Sequence, residues 1–275
     1  MRFPVPHSPV ARLLLQTITM VLLAASISGC TDPSRKDLDY TFDVFQTVET
    51  PELEGHELVQ FESVFWEPDD TVSLRKLIVD DHIADGRTVL EIGTGTGLIS
   101  LVCLANGAKK VIATDINPAA VANARYNAAR VELDLNLEVR QVEPENPNAF
   151  AVVKPKERFD LILSNPPWED GKVNQPGDHA FYDPDFALMD SLLDGLPIHL
   201  NPGGRCLLAY GHTPAITRLL SKAKERGFQT KVLDDRKVDQ LAENFLPGML
   251  IEIRLGKNQI PKVDASSSDS PSTLP

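Results

Sequence analysis

The apolar run Thr88-Val89-Leu90-Glu91-Ile92 leads directly into Gly93-Thr94-Gly95-Thr96-Gly97. Glycines at alternate positions permit a tight turn and a close approach of backbone N–H groups to a ligand. The spacing G-x-G-x-G differs from the G-x-G-x-x-G that strand–turn–helix units use to cradle a pyrophosphate. A carboxylate, Glu91, precedes the turn, and it suits a ligand carrying an ammonium better than one carrying phosphate. A second apolar run ends in Ala113-Thr114-Asp115-Ile116-Asn117-Pro118. A carboxylate at a strand end can accept both hydroxyls of a ribose. Nicotinamide enzymes use the same device, so Asp115 marks a nucleoside without choosing among nucleoside cofactors. The competing reading of Asp115 is a helix N-cap. Glu143, beyond the next run, is a candidate acceptor for an adenine amine, in competition with Gln141 and Glu145.

The group that points to a reaction is Asn165-Pro166-Pro167-Trp168, placed directly after Phe159-Asp160-Leu161-Ile162-Leu163-Ser164. Two prolines fix the backbone and remove two N–H donors, which leaves carbonyl oxygens to face a ligand. The Asn165 side-chain carbonyl adds an acceptor, and Trp168 offers a flat face for a planar group. Such an arrangement suits a planar NH2, an amide or an exocyclic base amine, whose lone pair is delocalised. Accepting hydrogen bonds from its protons favours the change toward a tetrahedral nitrogen, with positioning and electrostatics supplying the rate. The competing reading is a rigid turn with a packing tryptophan.

These residues need a scaffold that brings strand ends together. Strands are predicted over Thr88–Ile92, Val111–Thr114, Leu137–Gln141, Phe159–Ser164, Arg205–Tyr210, Thr230–Leu233 and Met249–Leu255. Helices are predicted over Thr71–Asp81, Leu98–Asn106, Pro118–Val131, Asp185–Leu200 and Pro214–Arg226. Thr71 is read as a cap, and Pro118 takes a first-turn position after Asn117. The alternation predicts a Rossmann-like α/β fold, a doubly wound, mostly parallel seven-stranded sheet with helices on both faces and a site beyond the strand carboxyl ends. Residues 31–60 read as a linker or N-terminal arm, 61–256 as the catalytic domain, and 257–275, rich in Ser, Pro and Asp, as a disordered tail.

Of the 275 residues, 42% are hydrophobic and the formal net charge is −12, which fits a globular chain and disfavours generic nucleic-acid binding. Lys222, Lys224 and Arg226 read as a solvated helix face. The three cysteines, Cys30, Cys103 and Cys206, form no metal spacing, and the last two read as buried thiols. His82, His199 and His212 are scattered, and no metal is expected. His179, Phe181 and Tyr182 follow the NPPW turn and are candidates to line the acceptor entrance. Residues 1–30 read as a secretory signal, with Arg2 and Arg12 ahead of the apolar stretch Leu13 to Ala25. The segment ends in Ile27-Ser28-Gly29-Cys30, which resembles a lipobox and implies a lipid anchor at Cys30.

Together, Val64 to Thr71, Val89 to Gly97, Thr114 to Pro118 and Phe159 to Trp168 resemble the class I S-adenosylmethionine-dependent methyltransferases of the small methyltransferase domain group. The similarity is greatest to the HemK-type glutamine methyltransferases that act on translation release factors. It spans about residues 64–255. The resemblance implies S-adenosylmethionine as cofactor, cofactor contacts at Thr71, Glu91, Gly93, Asp115 and Asn165, and a sheet that ends in an antiparallel hairpin. Gly95, Gly97 and Glu143 complete the expected cofactor set, and Asn165, Pro166 and Trp168 the catalytic one. Trp168 departs from the tyrosine usual in glutamine-modifying members. Gly107-Ala108-Lys109-Lys110-Val111 also resembles a segment of ribosomal-protein lysine methyltransferases, which lack NPPW.

The expected activity is methylation of a protein nitrogen, of the glutamine-amide kind. Two alternatives stand beside it: an RNA or DNA exocyclic-amine methyltransferase of the same fold, and a lipid-anchored binding protein on an inactive methyltransferase fold. The lipobox motivates the latter, because the donor is made in the cytosol.

Overall fold

The structure is a computed structural model that describes residues 42–241 and 245–259. The signal-like segment with Cys30, the first part of the expected arm and residues 260–275 lie outside the described residues. The described residues belong to one compact unit.

That unit begins earlier than residue 61. In place of a linker, Val44–Glu49 (β1) and Glu57–Phe61 (β2) pair as an antiparallel hairpin. Its anchor is remote in sequence. Asn127 and Asn123, buried on a later helix, accept from the Val59 and Phe61 amides at 2.8 and 2.9 Å. Both side-chain amides also donate to the Val59 carbonyl. Side chains thus satisfy backbone groups that the edge of a two-stranded ribbon would leave open.

A 3-10 turn, Pro68–Thr71, leads into helix α1, Val72–Asp80. Thr71 occupies the N-cap position but makes no side-chain cap bond. Its hydroxyl donates to the Pro68 carbonyl at 3.2 Å and accepts from Arg75 Nη1 at 2.8 Å. The expected cap is therefore a fastening between the turn and the helix.

Strands β3 (Thr88–Ile92), β4 (Lys110–Asp115), β5 (Leu137–Gln141) and β6 (Phe159–Ser164) lie close to their predicted bounds. Strand β7 (Leu200–His212) is longer than predicted, β8 is Gln229–Val232, and β9 starts early, at Phe245, and ends at Arg254. The predicted strand begins only at Met249, whereas the observed one runs through Pro247 and Gly248. Gly248 is needed there because the Asp70 carbonyl oxygen packs where a Cβ would stand, 2.2 Å away. The sheet order is β5-β4-β3-β6-β7-β9-β8. It is parallel from β5 to β7, with β9 antiparallel to both its neighbours. This is the doubly wound sheet closed by an antiparallel hairpin.

The connecting helices are α2 (Leu98–Ala105), α3 (Pro118–Arg130), α4 (Ala187–His199) and α5 (Thr213–Glu225). Alternating residues feed two cores, one on each face: Val89, Leu161, Leu163 and Leu207 on one side, Leu90, Ile162, Cys206 and Leu208 on the other. Cys103 and Cys206 are fully buried free thiols. Helix α3 starts as expected, with Pro118 in its first turn and Asn117 Oδ1 accepting from the Ala119 amide at 3.0 Å. Helix α4 starts two residues late, because Asp185 and Phe186 both sit at φ 55°. Asp183 caps it instead, accepting from the Leu188 and Met189 amides at 2.8 and 3.0 Å.

Candidate active site

The carboxyl ends of β3, β4 and β6 converge on one cavity. Gly93 and Gly95, both at positive φ, turn the chain back over β4, where the Gly93 and Thr94 amides donate to the Thr114 carbonyl at 2.8 and 3.1 Å. Ser164 at the end of β6 donates to the Ile92 carbonyl at 2.6 Å and locks the two strand ends together.

Glu91 lies under the loop, 1% exposed. Its Oε2 accepts from the Thr94 hydroxyl at 2.7 Å, from the Ser100 amide at 3.1 Å, and from the Ser100 hydroxyl. Burial, reinforced by the charge on Asp115, outweighs these donors and pushes the carboxyl up to about 7. Asp115 stands across the loop. Its Oδ2 accepts from the Gly95 amide at 2.9 Å and its Oδ1 from the Asn117 amide at 2.8 Å. Burial raises this carboxyl above its ordinary value, while the backbone amides of Gly95, Asn117, Ile116 and Thr94 pull it down. Each oxygen keeps a lone pair for a further donor. The N-cap of α3 is Asn117, so the cap reading of Asp115 does not hold.

Asn165 lies on the wall at the end of β6, beside Pro166 and Pro167. Its Oδ1 is buried and has no hydrogen-bond partner. A buried acceptor left open in this way costs free energy until a donor arrives.

The cavity brings together Thr71, Glu91, Gly93, Gly95, Asp115, Asn165 and Pro166 from the expected set. Three expected residues lie elsewhere. Gly97 packs against Ala124 of α3, which a Cβ would meet at 3.2 Å, and does not line the cavity. Glu143 is exposed on the loop after β5, and the residues of that loop on the wall are Val142, Pro147, Asn148 and Ala149. Trp168 turns away from the cavity. Its indole Nε1 donates to the Ala209 carbonyl of β7 at 3.1 Å, and its ring stacks on Phe245. It is thus the packing tryptophan of the competing reading.

Sequence reasoning missed Phe65 and Trp66, which also line the cavity. His179 and Tyr182 line the cavity, whereas Phe181 packs edge-on against Phe65 with ring centroids 5.4 Å apart. Burial lowers the His179 imidazole, which favours its neutral form. Among the described residues no group of His, Cys, Asp or Glu is arranged to hold a metal ion.

The charge pattern decides the ligand class. The wall carries Glu67, Glu91, Asp115 and Asp183 and shows neither lysine nor arginine among its described residues. A pyrophosphate would meet repulsion there, whereas an ammonium would relieve the buried Glu91 carboxyl. Residues 72–225 match the family described as "Methyltransferase small domain".

The chain belongs to this methyltransferase family.

A protein of Methanocaldococcus jannaschii carried under the name protein N5-glutamine methyltransferase is 32% identical over 187 residues, or 66% of this chain and 89% of that one. A release factor glutamine methyltransferase of Cereibacter sphaeroides is 40% identical over 45% of this chain and 46% of its own. The chain therefore spans about half the length of that relative. Among solved structures, the T. thermophilus 16S rRNA N2 G1207 methyltransferase in complex with AdoMet and guanosine superposes with a TM-score of 0.50. That match has 18% identity and covers 77% of this chain and 50% of that one, a likeness of fold. The protein is an S-adenosylmethionine-dependent methyltransferase, and the cavity fits that cofactor. Asp115 could accept from a ribose with both oxygens and Glu91 could face an ammonium, while Gly93 and Gly95 place no side chain in the cavity, their amides being engaged by Thr114 and Asp115.

Proposed function

We propose that this methyltransferase modifies the side-chain amide nitrogen of a glutamine in a protein partner. The observation that carries the reading is the unpartnered Asn165 Oδ1, buried beside two prolines at the end of β6. The names of the relatives support a protein glutamine as the acceptor.

In this reading Asp115 accepts the ribose hydroxyls, Glu91 faces the methionyl ammonium, and Gly93, Gly95 and Thr71 shape the remaining cofactor wall. When bound, the cofactor supplies an electrophilic methyl group on a sulfonium. Asn165 Oδ1 accepts a hydrogen bond from one N–H of the acceptor NH2, and the proline-fixed backbone at Pro166 keeps the turn from yielding. Holding the nitrogen by its protons draws it out of conjugation with its own carbonyl. Phe65, Trp66 and Tyr182 exclude water from the acceptor end. The methylated amide nitrogen carries a surplus, strongly acidic proton, which is lost to bulk solvent as the product leaves, so no side-chain base is required.

The test is transfer of labelled methyl to a glutamine-bearing peptide and to the same peptide with glutamate in its place. Label on the first alone supports the reading. Label in added RNA, with salt-dependent binding and none in protein, overturns it. The lipobox-like Ile27–Cys30 supports a lipid anchor at Cys30. Mass analysis of the native N-terminus tests that point: a lipidated cysteine start is expected, and an unprocessed Met1 overturns it.

A further inference from the structure

The NPPW turn has little of its own to hold it in place. Pro166 and Pro167 donate no backbone hydrogen bonds, so the turn depends on what fixes its far end. Trp168 grips that end at two points, and just beyond it the Glu169 amide donates to the Phe181 carbonyl at 3.3 Å while the Glu169 carbonyl accepts from the Asp183 amide at 2.7 Å. The Trp168 indole donates to Ala209 in β7. The Trp168 carbonyl lies 3.1 Å from Nδ1 of His212, the last residue of the same strand. Behind His212 stands Phe245, its register partner in β9, with ring centroids 4.9 Å apart and planes 19° from parallel. Phe245 also stacks on Trp168 at 6.4 Å. Imidazole, benzyl ring and indole thus form one continuous brace between the β7–β9 pair and the turn.

We propose that His212 is a positioning residue for methyl transfer: by donating to the Trp168 carbonyl it sets the Asn165–Pro166 acceptor edge against the incoming amide. This rests on the function proposed above. A carbonyl oxygen only accepts, so Nδ1 must carry the proton. His212 does not line the cavity, and neither does Trp168, so the brace acts through the turn and not on either ligand. It also accounts for tryptophan at position 168. An indole reaches Ala209 with its N–H while leaving its ring to close the stack.

The test compares His212→Leu with His212→Asn, whose side-chain amide can donate from a similar position. His212→Leu is expected to lower kcat about tenfold or more through misplacement of the turn, with S-adenosylmethionine Kd changed less than about twofold. His212→Asn is expected to recover most of that loss. Unchanged kcat in the leucine variant, a parallel loss of cofactor binding, or an asparagine variant as poor as leucine each overturns the proposal. Nitrogen-15 NMR of the parent protein supplies a second reading. A proton on Nδ1 of neutral His212 is expected, and a proton on Nε2 alone overturns the brace. That reading is independent of the acceptor. A parent enzyme with no glutamine turnover but an Nδ1 proton therefore counts against the proposed function and not against the brace.

Discussion

Arg75 Nε donates to Glu52 Oε1 at 2.7 Å, so a residue of the hairpin turn holds a residue of α1. The same guanidinium donates through Nη1 to the Pro68 carbonyl at 2.6 Å and to the Thr71 hydroxyl at 2.8 Å. The N-terminal hairpin therefore reaches Pro68 and Thr71 on the cavity wall through one nearly buried side chain, 8% exposed.

Arg75→Lys removes this geometry, because a single ammonium cannot serve three acceptors spread around a planar fork. We expect a stability loss of about 1–3 kcal/mol and several-fold weaker cofactor binding, read by thermal melts and calorimetric titration. An Arg75→Lys enzyme with parental cofactor affinity would show that Thr71 needs no such support. The pair also has an acid signature. Burial alone would raise the Glu52 carboxyl, but the Arg75 hydrogen bond, a backbone amide and the Arg75 charge together hold it below its ordinary 4.5. Its stabilisation is present above that value and is lost as pH falls through the lowered one.

Glu91 has the opposite sign. Its carboxyl is ordinarily at 4.5 and stands at about 7 in the fold. The folded state therefore binds more protons than the unfolded chain between those values. Stability of the cofactor-free protein should fall as pH rises from about 4.5 to about 7, by about 3 kcal/mol in total, and level off above. Glu91→Gln should flatten this slope, which denaturant melts across the range would show. Cofactor affinity should move the other way. The ionised carboxylate attracts the ammonium, so the parent should bind about tenfold more tightly at pH 8 than at pH 6. A Glu91→Gln variant that keeps the same pH dependence would place the titration elsewhere.

Asp115 divides its two oxygens between Gly95 and Asn117 while facing the cavity. Asp115→Ala strips the proposed ribose acceptors and leaves two backbone amides open. We expect cofactor Kd to rise about 10- to 100-fold, the loss of charge-assisted hydrogen bonds. Asp115→Asn keeps one acceptor and should fall between. Equal affinity of all three proteins in a titration would remove Asp115 from the site.

What could be read in advance follows from how local each determinant is. Strands β3, β4 and β6 were legible because buried parallel strands are short apolar runs, ended here by turn residues such as Gly93 and Pro166. Their ends carry Glu91, Asp115 and Asn165, so the residues that meet at the cavity were legible too. The hairpin at 44–61 was not, since its partners are Asn123 and Asn127, polar residues that on a helix read as solvated. The direction of Trp168 depends on Ala209, which only the β6–β7 pairing brings near. Glu143 failed by a smaller margin. The wall residue is its neighbour Val142, and loop residues have no periodicity from which to tell inward from outward.

Asn165→Ala separates turnover from binding. Its Oδ1 is buried without a partner, so the parent protein carries an unsatisfied acceptor that alanine removes. The cofactor-free variant should therefore be no less stable than the parent, and a thermal melt is expected to show an equal or slightly higher Tm. The acceptor nitrogen, however, would lose the group that holds one of its protons. We expect kcat on a glutamine peptide to fall about 10²- to 10³-fold, the scale seen when a single preorganised polar group is deleted from an active site. Cofactor Kd should change far less, because Asp115 and Glu91 remain in place. Asn165→Asp probes the same point by charge. A carboxylate accepts as well as an amide oxygen, but it also adds negative charge to a wall that already carries Glu67, Glu91, Asp115 and Asp183. Its own ionisation is thereby opposed, and activity should recover only at high pH. Undiminished kcat in Asn165→Ala, with cofactor bound normally, would show that the amide is held by backbone carbonyls alone.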